Sequence, residues 1–273
     1  MKTLSFPVRC ALAALLLSVS GGFGQGSLTP PGPPGPTMKT LDQVEPRTPI
    51  DTLPIAITQS GSYYLTRSFA QNFTIADAIF IQADNVTLDL SGFTIQQTAT
   101  TAAITGIKIM SSSANTPVRN TVIRNGTITG FAGSGIFAFA GRNCLLENLN
   151  VTRCAAGITF QGFGTAGAAG NTFRRCRMTD NGTGSGIVLL SGAGNVGNTI
   201  EHCESLNNGT GFAIAAAGNL IIGCRASGNT SNYTIAAGNR GGIIVLPGTN
   251  AQINGSSGGV GTGTSDSFAN LSF

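Results

Sequence analysis

From Leu53 onward the apolar positions alternate with polar ones, as in Tyr63-Tyr64-Leu65, Ile79-Phe80-Ile81 and Val86-Thr87-Leu88-Asp89-Leu90. Alternation over short segments bounded by Gly and Asn predicts strands, and no longer stretch after Pro46 carries a helical stripe. One unit keeps returning. Gly106-Ile107, Gly135-Ile136, Gly157-Ile158 and Gly186-Ile187 are followed by the variants Gly211-Phe212 and Asn232-Tyr233. A unit this short cannot bury its own apolar face, so successive copies must stack into an elongated all-β solenoid with one continuous core.

Laid in register, the first strand of each rung contributes the inward pairs Ile79/Ile81, Ile107/Ile109, Ile136/Ala138, Ile158/Phe160, Ile187/Leu189, Phe212/Ile214 and Tyr233/Ile235. A second apolar column reads Leu90, Ile123, Leu146, Phe173, Ile200, Ile221, and a third reads Phe93, Gly126, Leu149, Cys176, Cys203, Cys224. Ile95, Ile128, Val151, Met178, Ser205 and Ala226 form the last. Three short strands per turn over about seven rungs describe a parallel β-helix, with insertions at 111–119 and 161–171 emerging along one edge. Gly before each first strand, and Asn181, Asn208 and Asn229, suit turns that need left-handed or side-chain-bonded backbone.

The segment ahead of the repeats has a different character. Lys2 and Arg9, an apolar run from Cys10 to Val19 and the small residues near Gly24 predict a signal peptide over 1–24, hence a secreted or cell-surface protein. Its removal takes away two of fifteen basic residues and leaves thirteen against eleven acids. That balance excludes nucleic acid as the expected partner, and no later segment is apolar for the ~18 residues a membrane span needs. Residues 25–52 form a Pro-rich linker in which Met38, Leu41 and Val44 fall at helical spacing, and 53–273 form the β-helix. The final stretch, closing with Phe268, Leu271 and Phe273, is expected to fold back as a C-terminal cap.

Several segments resemble a known group: Pro36-Thr37-Met38-Lys39-Thr40-Leu41, Glu45-Pro46-Arg47, Gly61-Ser62-Tyr63-Tyr64-Leu65, the run Asp84 to Ile95, and Ala237-Gly238-Asn239-Arg240. They are similar to right-handed parallel β-helix proteins of the pectin-lyase-like superfamily, and most of all to secreted bacterial ones with a Pro-rich leader. The resemblance implies fold, handedness and export. It implies no single reaction, because this fold hosts lyases, hydrolases, adhesins and binders.

Enzymes of that group place several carboxylates on one outward face, to divide acid and base roles or to hold calcium. Here the outward positions of the first strands read Phe80, Lys108, Phe137, Thr159, Val188, Ala213, Thr234, and then Gln82, Met110, Phe139, Gln161, Leu190, Ala215, Ala236. None is a carboxylate. The expectation is therefore a non-catalytic chain that binds polysaccharide or other surface components through Phe80, Lys108, Phe137 and Phe139, or acts as a structural or adhesive module. The same apolar face, with the leader, is a candidate surface for a homo-oligomer or an envelope protein.

The alternative is a polysaccharide lyase or glycoside hydrolase with an atypical site of Lys108, Arg175, Glu201 and His202. Against it, Glu147 and Glu201 belong to an outward column Arg124, Glu147, Arg174, Glu201, and a neighbouring column holds Arg177, Glu204 and Arg225. Alternating charges one rung apart read as a structural ladder. No metal site or cofactor is expected: there is a single His, and Cys176, Cys203 and Cys224 point inward as stacked thiols. Cys144 and Cys154 lie near turns, where the spacing leaves pairing and free thiols both open.

Overall fold

The computed structural model describes residues 46–99, 103–113, 115–192, 194–242, 244–245 and 268–273. The segment expected to be a signal peptide, the proline run and the helical spacing at Met38, Leu41 and Val44 lie outside the described residues, as does most of the Gly/Ser-rich stretch after 245. The described residues form a parallel β-solenoid without helix. An eight-stranded sheet takes one strand from each coil, in chain order: Ile55–Ile57, Ile79–Ile81, Ile107–Ile109, Ser134–Phe139, Ala156–Gln161, Ser185–Leu189, Thr210–Ile214 and Ser231–Ile235. The remaining strands of each coil build a sixteen-stranded sheet.

Every first-strand pair expected from the Gly-Ile repeat stacks in register, from Ile79↔Ile107 to Phe212↔Tyr233. Ile55–Ile57 adds a strand before them. The solenoid also begins earlier than the expected start at 53, because Thr48–Ile50, read as linker, pairs with Tyr63–Leu65. Burial follows the alternation: Ile107 and Ile109 are fully buried while Lys108 between them is half-exposed. β-branched residues dominate these positions because they pack well on a pleated, half-buried surface.

The second apolar column needs one correction. Leu88, not Leu90, stacks on Ile123. From Leu88 to Ile95 the chain is two residues longer than the matching stretch Ile123 to Ile128 of the next coil, and Ser91 and Gly92 absorb the excess in a wide bend with φ of 52° and 81°. Leu90 is still buried, but within that bend. The shift also brings Asp89 opposite Arg124. In later rungs the bend rests on one left-handed residue: Asn125, Asn148, Arg175, His202 and Gly223, with φ between 51° and 62°.

The Gly column has a reason other than the expected one, while the Asn column takes the side-chain-bonded alternative. Gly106, Gly135, Gly157, Gly186 and Gly211 do not have left-handed backbone. They stack so closely that a side chain on one would meet the carbonyl of the next: a Cβ on Gly106 would lie 2.6 Å from Gly135 O, and one on Gly186 would lie 2.6 Å from Gly211 O. The left-handed backbone at the Asn turns falls one residue earlier, at Asp180, Asn207 and Gly228.

The Asn side chains themselves turn inward and form buried ladders. Asn181 Nδ2 donates to Asn208 Oδ1 at 3.0 Å, and Asn208 Nδ2 to Asn229 Oδ1 at 3.1 Å. A parallel ladder at the other turn runs Asn171, Asn198, Asn219, Asn239, with Nδ2 to Oδ1 distances of 2.9, 2.9 and 3.1 Å. Each Oδ1 also accepts the backbone N–H of the rung before it, so a turn that would bury unpaired amides satisfies them through side chains.

Cys144 and Cys154 head the two ladders. Their N–H groups donate to Asn171 Oδ1 at 2.9 Å and Asn181 Oδ1 at 3.0 Å, and both thiols are free and buried. Burial pushes each thiol up to about 11. Cys176, Cys203 and Cys224 are likewise free and buried, each thiol donating to backbone carbonyls. With Cys10 replaced by Ser, a maleimide is therefore expected to leave all five unmodified in the native protein and to label all five in denaturant. Mass spectrometry reads the count, and rapid native labelling at Cys144 or Cys154 would contradict this packing.

At the far end Asn270–Ser272 pairs with Arg225–Ser227. Asn270 Oδ1 accepts the Cys224 N–H at 2.9 Å, and the Tyr233 hydroxyl reaches Leu271 O at 2.8 Å.

Candidate functional site

The outward face of the eight-stranded sheet carries the residues singled out from the sequence. Because the strands are in register, Ala56, Phe80, Lys108, Phe137, Thr159, Val188, Ala213 and Thr234 form one column. Phe80, Lys108, Phe137 and Phe139 are half-buried on it. The Phe137 and Phe139 rings meet edge-to-face at 4.5 Å, and Phe139 meets Phe163 at 5.3 Å. Phe163 comes from the 161–171 insertion, where a short antiparallel bridge to Ala166 holds it. Sequence columns missed it because it lies outside every strand.

Asp77 was missed for the same reason. It precedes the strand Ile79–Ile81, yet its Oδ2 lies 3.3 Å from Lys108 Nζ. Its Oδ1 accepts the Thr105 N–H at 2.9 Å, which holds the carboxylate in place. The Lys108 ammonium also lies 5.6 Å from the centre of the Phe80 ring, a cation–π distance. The expectation that this face has no carboxylate thus holds for the strand positions and fails at its margin. Beside Phe80 a cleft of about 380 Å³ opens between Pro54–Ala56 and Ile75–Asp77, and Ile75 at its rim is 94% exposed.

The other candidate group lies on the bend of the sixteen-stranded sheet. Arg174 Nη2 is 2.7 Å from Glu147 Oε2, and Arg174 Nε is 3.9 Å from Glu201 Oε1. Its hydrogen bond and ion pair with Glu147 raise the Arg174 pKa further. Arg175 reaches Glu147 at 3.4 Å and Asn148 Oδ1 at 3.1 Å. His202 is exposed, its ring packed over Gly223, where a Cβ would come within 3.0 Å of Nδ1.

The structure therefore groups Arg175, Glu201 and His202 on one bend but leaves Lys108 on the other sheet. The left-handed backbone of Arg175 and His202 is not a local device, since Asn125 and Asn148 adopt it at the same place in earlier rungs. Arg124 completes the charged column by pairing with Asp89 at 3.0 Å. Burial pushes the Asp89 carboxyl up, but bonds from the Ser91 N–H and the Asn125 amide, with the Arg124 charge, outweigh this and hold it below the usual value. Glu204 links Arg177 and Arg225 at 3.0 and 3.8 Å. Among the described residues no cluster of His, Cys, Asp and Glu could hold a metal ion, and no helix is long and apolar enough to cross a membrane.

A family model described as the right-handed β-helix region matches residues 55–231, from the first strand of the eight-stranded sheet to the start of its last. The chain belongs to the right-handed β-helix family. Searches of curated proteins and of solved structures find no match. For a right-handed β-helix the sheet face with the aromatic residues is a flat, register-locked surface. Its side chains repeat at the rung spacing of about 4.8 Å.

Proposed function

We propose that this right-handed β-helix protein is a secreted or cell-surface module, of the pectin-lyase-like kind, that binds an extended polysaccharide without cleaving it. The observation that carries the reading is the aromatic strip Phe80, Phe137, Phe139 and Phe163 on one sheet face, interrupted by the Lys108–Asp77 pair. Each rung advances about 4.8 Å, close to the span of one pyranose in an extended chain, so a glycan lying along the solenoid axis meets a side chain at every residue. Aromatic rings cover the apolar C–H face of a sugar, and polar groups beside them fix its hydroxyls.

The absence of cleavage rests on the charged bend. Arg174 lies between Glu147 and Glu201, 2.7 Å from the first and 3.9 Å from the second, so both carboxylates belong to an ion-pair ladder between rungs and do not face each other across a cleft as a hydrolytic pair would. A glycan array followed by titration calorimetry tests the reading. The double variant F137A/F139A is expected to weaken binding at least about tenfold, because a central aromatic anchor is typically worth more than ~1.4 kcal/mol. Undiminished binding by that variant, or turnover of a polysaccharide abolished by His202→Ala or Glu201→Ala, would overturn it.

A further inference from the structure

We infer that the aromatic face selects neutral hexose polymers and discriminates against uronates, an inference that rests on the binding role proposed above. Three outward columns make up this face: the one through Phe80 and Phe137, one lying three residues before it and one two residues after it. The first flank reads Asp77, Thr105, Ser134, Ala156, Ser185, Thr210 and Ser231, and the second reads Gln82, Met110, Phe139, Gln161, Leu190, Ala215 and Ala236. Asp77 and Lys108 are their only charged residues, and they neutralise each other at 3.3 Å.

A uronate chain brings a carboxylate with every sugar, and laying it on this strip would desolvate those charges against phenyl rings and small apolar side chains. Desolvated carboxylates need cations, and the one cation here already has a partner. A neutral pyranose has the opposite requirement. It presents a C–H face and a rim of hydroxyls, each of which both donates and accepts.

The Lys108–Asp77 pair supplies both functions at one point between Phe80 and Phe137. Lys108 Nζ has donors to spare, and Asp77 Oδ2 has an acceptor lone pair. The pair is preorganised: the Thr105 N–H fixes Asp77 Oδ1 at 2.9 Å, and the side chains are only 28% and 18% exposed. A hydroxyl pair docking there exchanges water for fixed partners at little cost in ordering. Further along the axis Ser134 Oγ lies 3.1 Å from Thr159 Oγ1, a second uncharged polar point on the same path.

The experiment is calorimetric titration of the full exported chain with a neutral β-linked hexose hexamer and with hexagalacturonate, in one low-salt buffer. The neutral hexamer is expected to bind at least about tenfold more tightly, and Asp77→Asn, which frees the Lys108 charge, to narrow that ratio by about threefold or more through tighter uronate binding. Lys108→Met is expected to weaken both ligands. Equal or tighter binding of hexagalacturonate, still lost in F137A/F139A, would overturn the selectivity and leave the binding face standing. Binding of either ligand that F137A/F139A does not diminish, or binding of neither, would overturn both. Circular dichroism of each variant separates loss of binding from loss of fold.

Discussion

Replacing Asn198 by Ala is expected to destabilise the solenoid by roughly 4 kcal/mol, as each buried polar group left unpaired costs about 1–3 kcal/mol and relaxation recovers part of the sum. Asn198 is 1% exposed and serves four partners. Its Oδ1 accepts from Asn171 N at 3.0 Å and Asn171 Nδ2 at 2.9 Å, while its Nδ2 donates to Ala168 O at 3.1 Å and Asn219 Oδ1 at 2.9 Å. The methyl group satisfies none of them. Asn239→Ala, at the end of the same ladder, removes a comparable set of bonds. That site is half-exposed, so solvent replaces the amide and the expected loss is nearer 1 kcal/mol. Urea unfolding followed by circular dichroism measures both. Equal losses at the two positions would show that burial within the ladder adds nothing.

This pair of variants also marks the boundary of what could be read from the chain. Sequence spacing identifies Asn181, Asn208 and Asn229 as turn residues, but whether an Asn bonds its own turn or the one above depends on a neighbour some 21 to 30 positions away. The first-strand repeat was legible because Gly-Ile recurs in four successive coils and Gly211-Phe212 and Asn232-Tyr233 continue it, and a fixed pattern survives variable loop lengths. The column through Leu90 was not, since two extra residues at Ser91-Gly92 displaced it by one inward position.

The same logic applies to the candidate site. Phe80, Lys108, Phe137 and Phe139 belong to strands, so alternation alone places them on one face. Asp77 and Phe163 reach that face from outside the strands, and only the path of the connecting chain brings them there. The residues assembled for catalysis failed as a group for a related reason. Lys108 and His202 are each outward, but outward from different sheets.

Gly157→Ala is expected to cost about 3 kcal/mol, toward the upper end of what overpacking a well-filled interior costs. The added methyl would run into the Gly186 carbonyl and lie 2.8 Å from Met178 Cγ. Met178 can change rotamer. The carbonyl cannot move without drawing Ser185–Leu189 away from Ala156–Gln161, which strains the parallel ladder between Ile158 and Ile187. Backbone preference does not explain such a loss, because Gly157 is not left-handed and Ala would otherwise reduce the entropy of the unfolded chain. Gly182→Ala is the converse case: φ is +58° and nothing lies within 4 Å, so the expected cost is only the roughly 1 kcal/mol of a left-handed residue with a side chain. Thermal and urea unfolding of both variants distinguish steric stacking from turn conformation. A larger loss at Gly182 than at Gly157 would refute the close-approach account. Gly211→Ala meets the Asn232 carbonyl of the last strand in the eight-stranded sheet. Among the described residues no further strand of that sheet holds this rung, so it can shift outward, and the penalty should fall below that at Gly157.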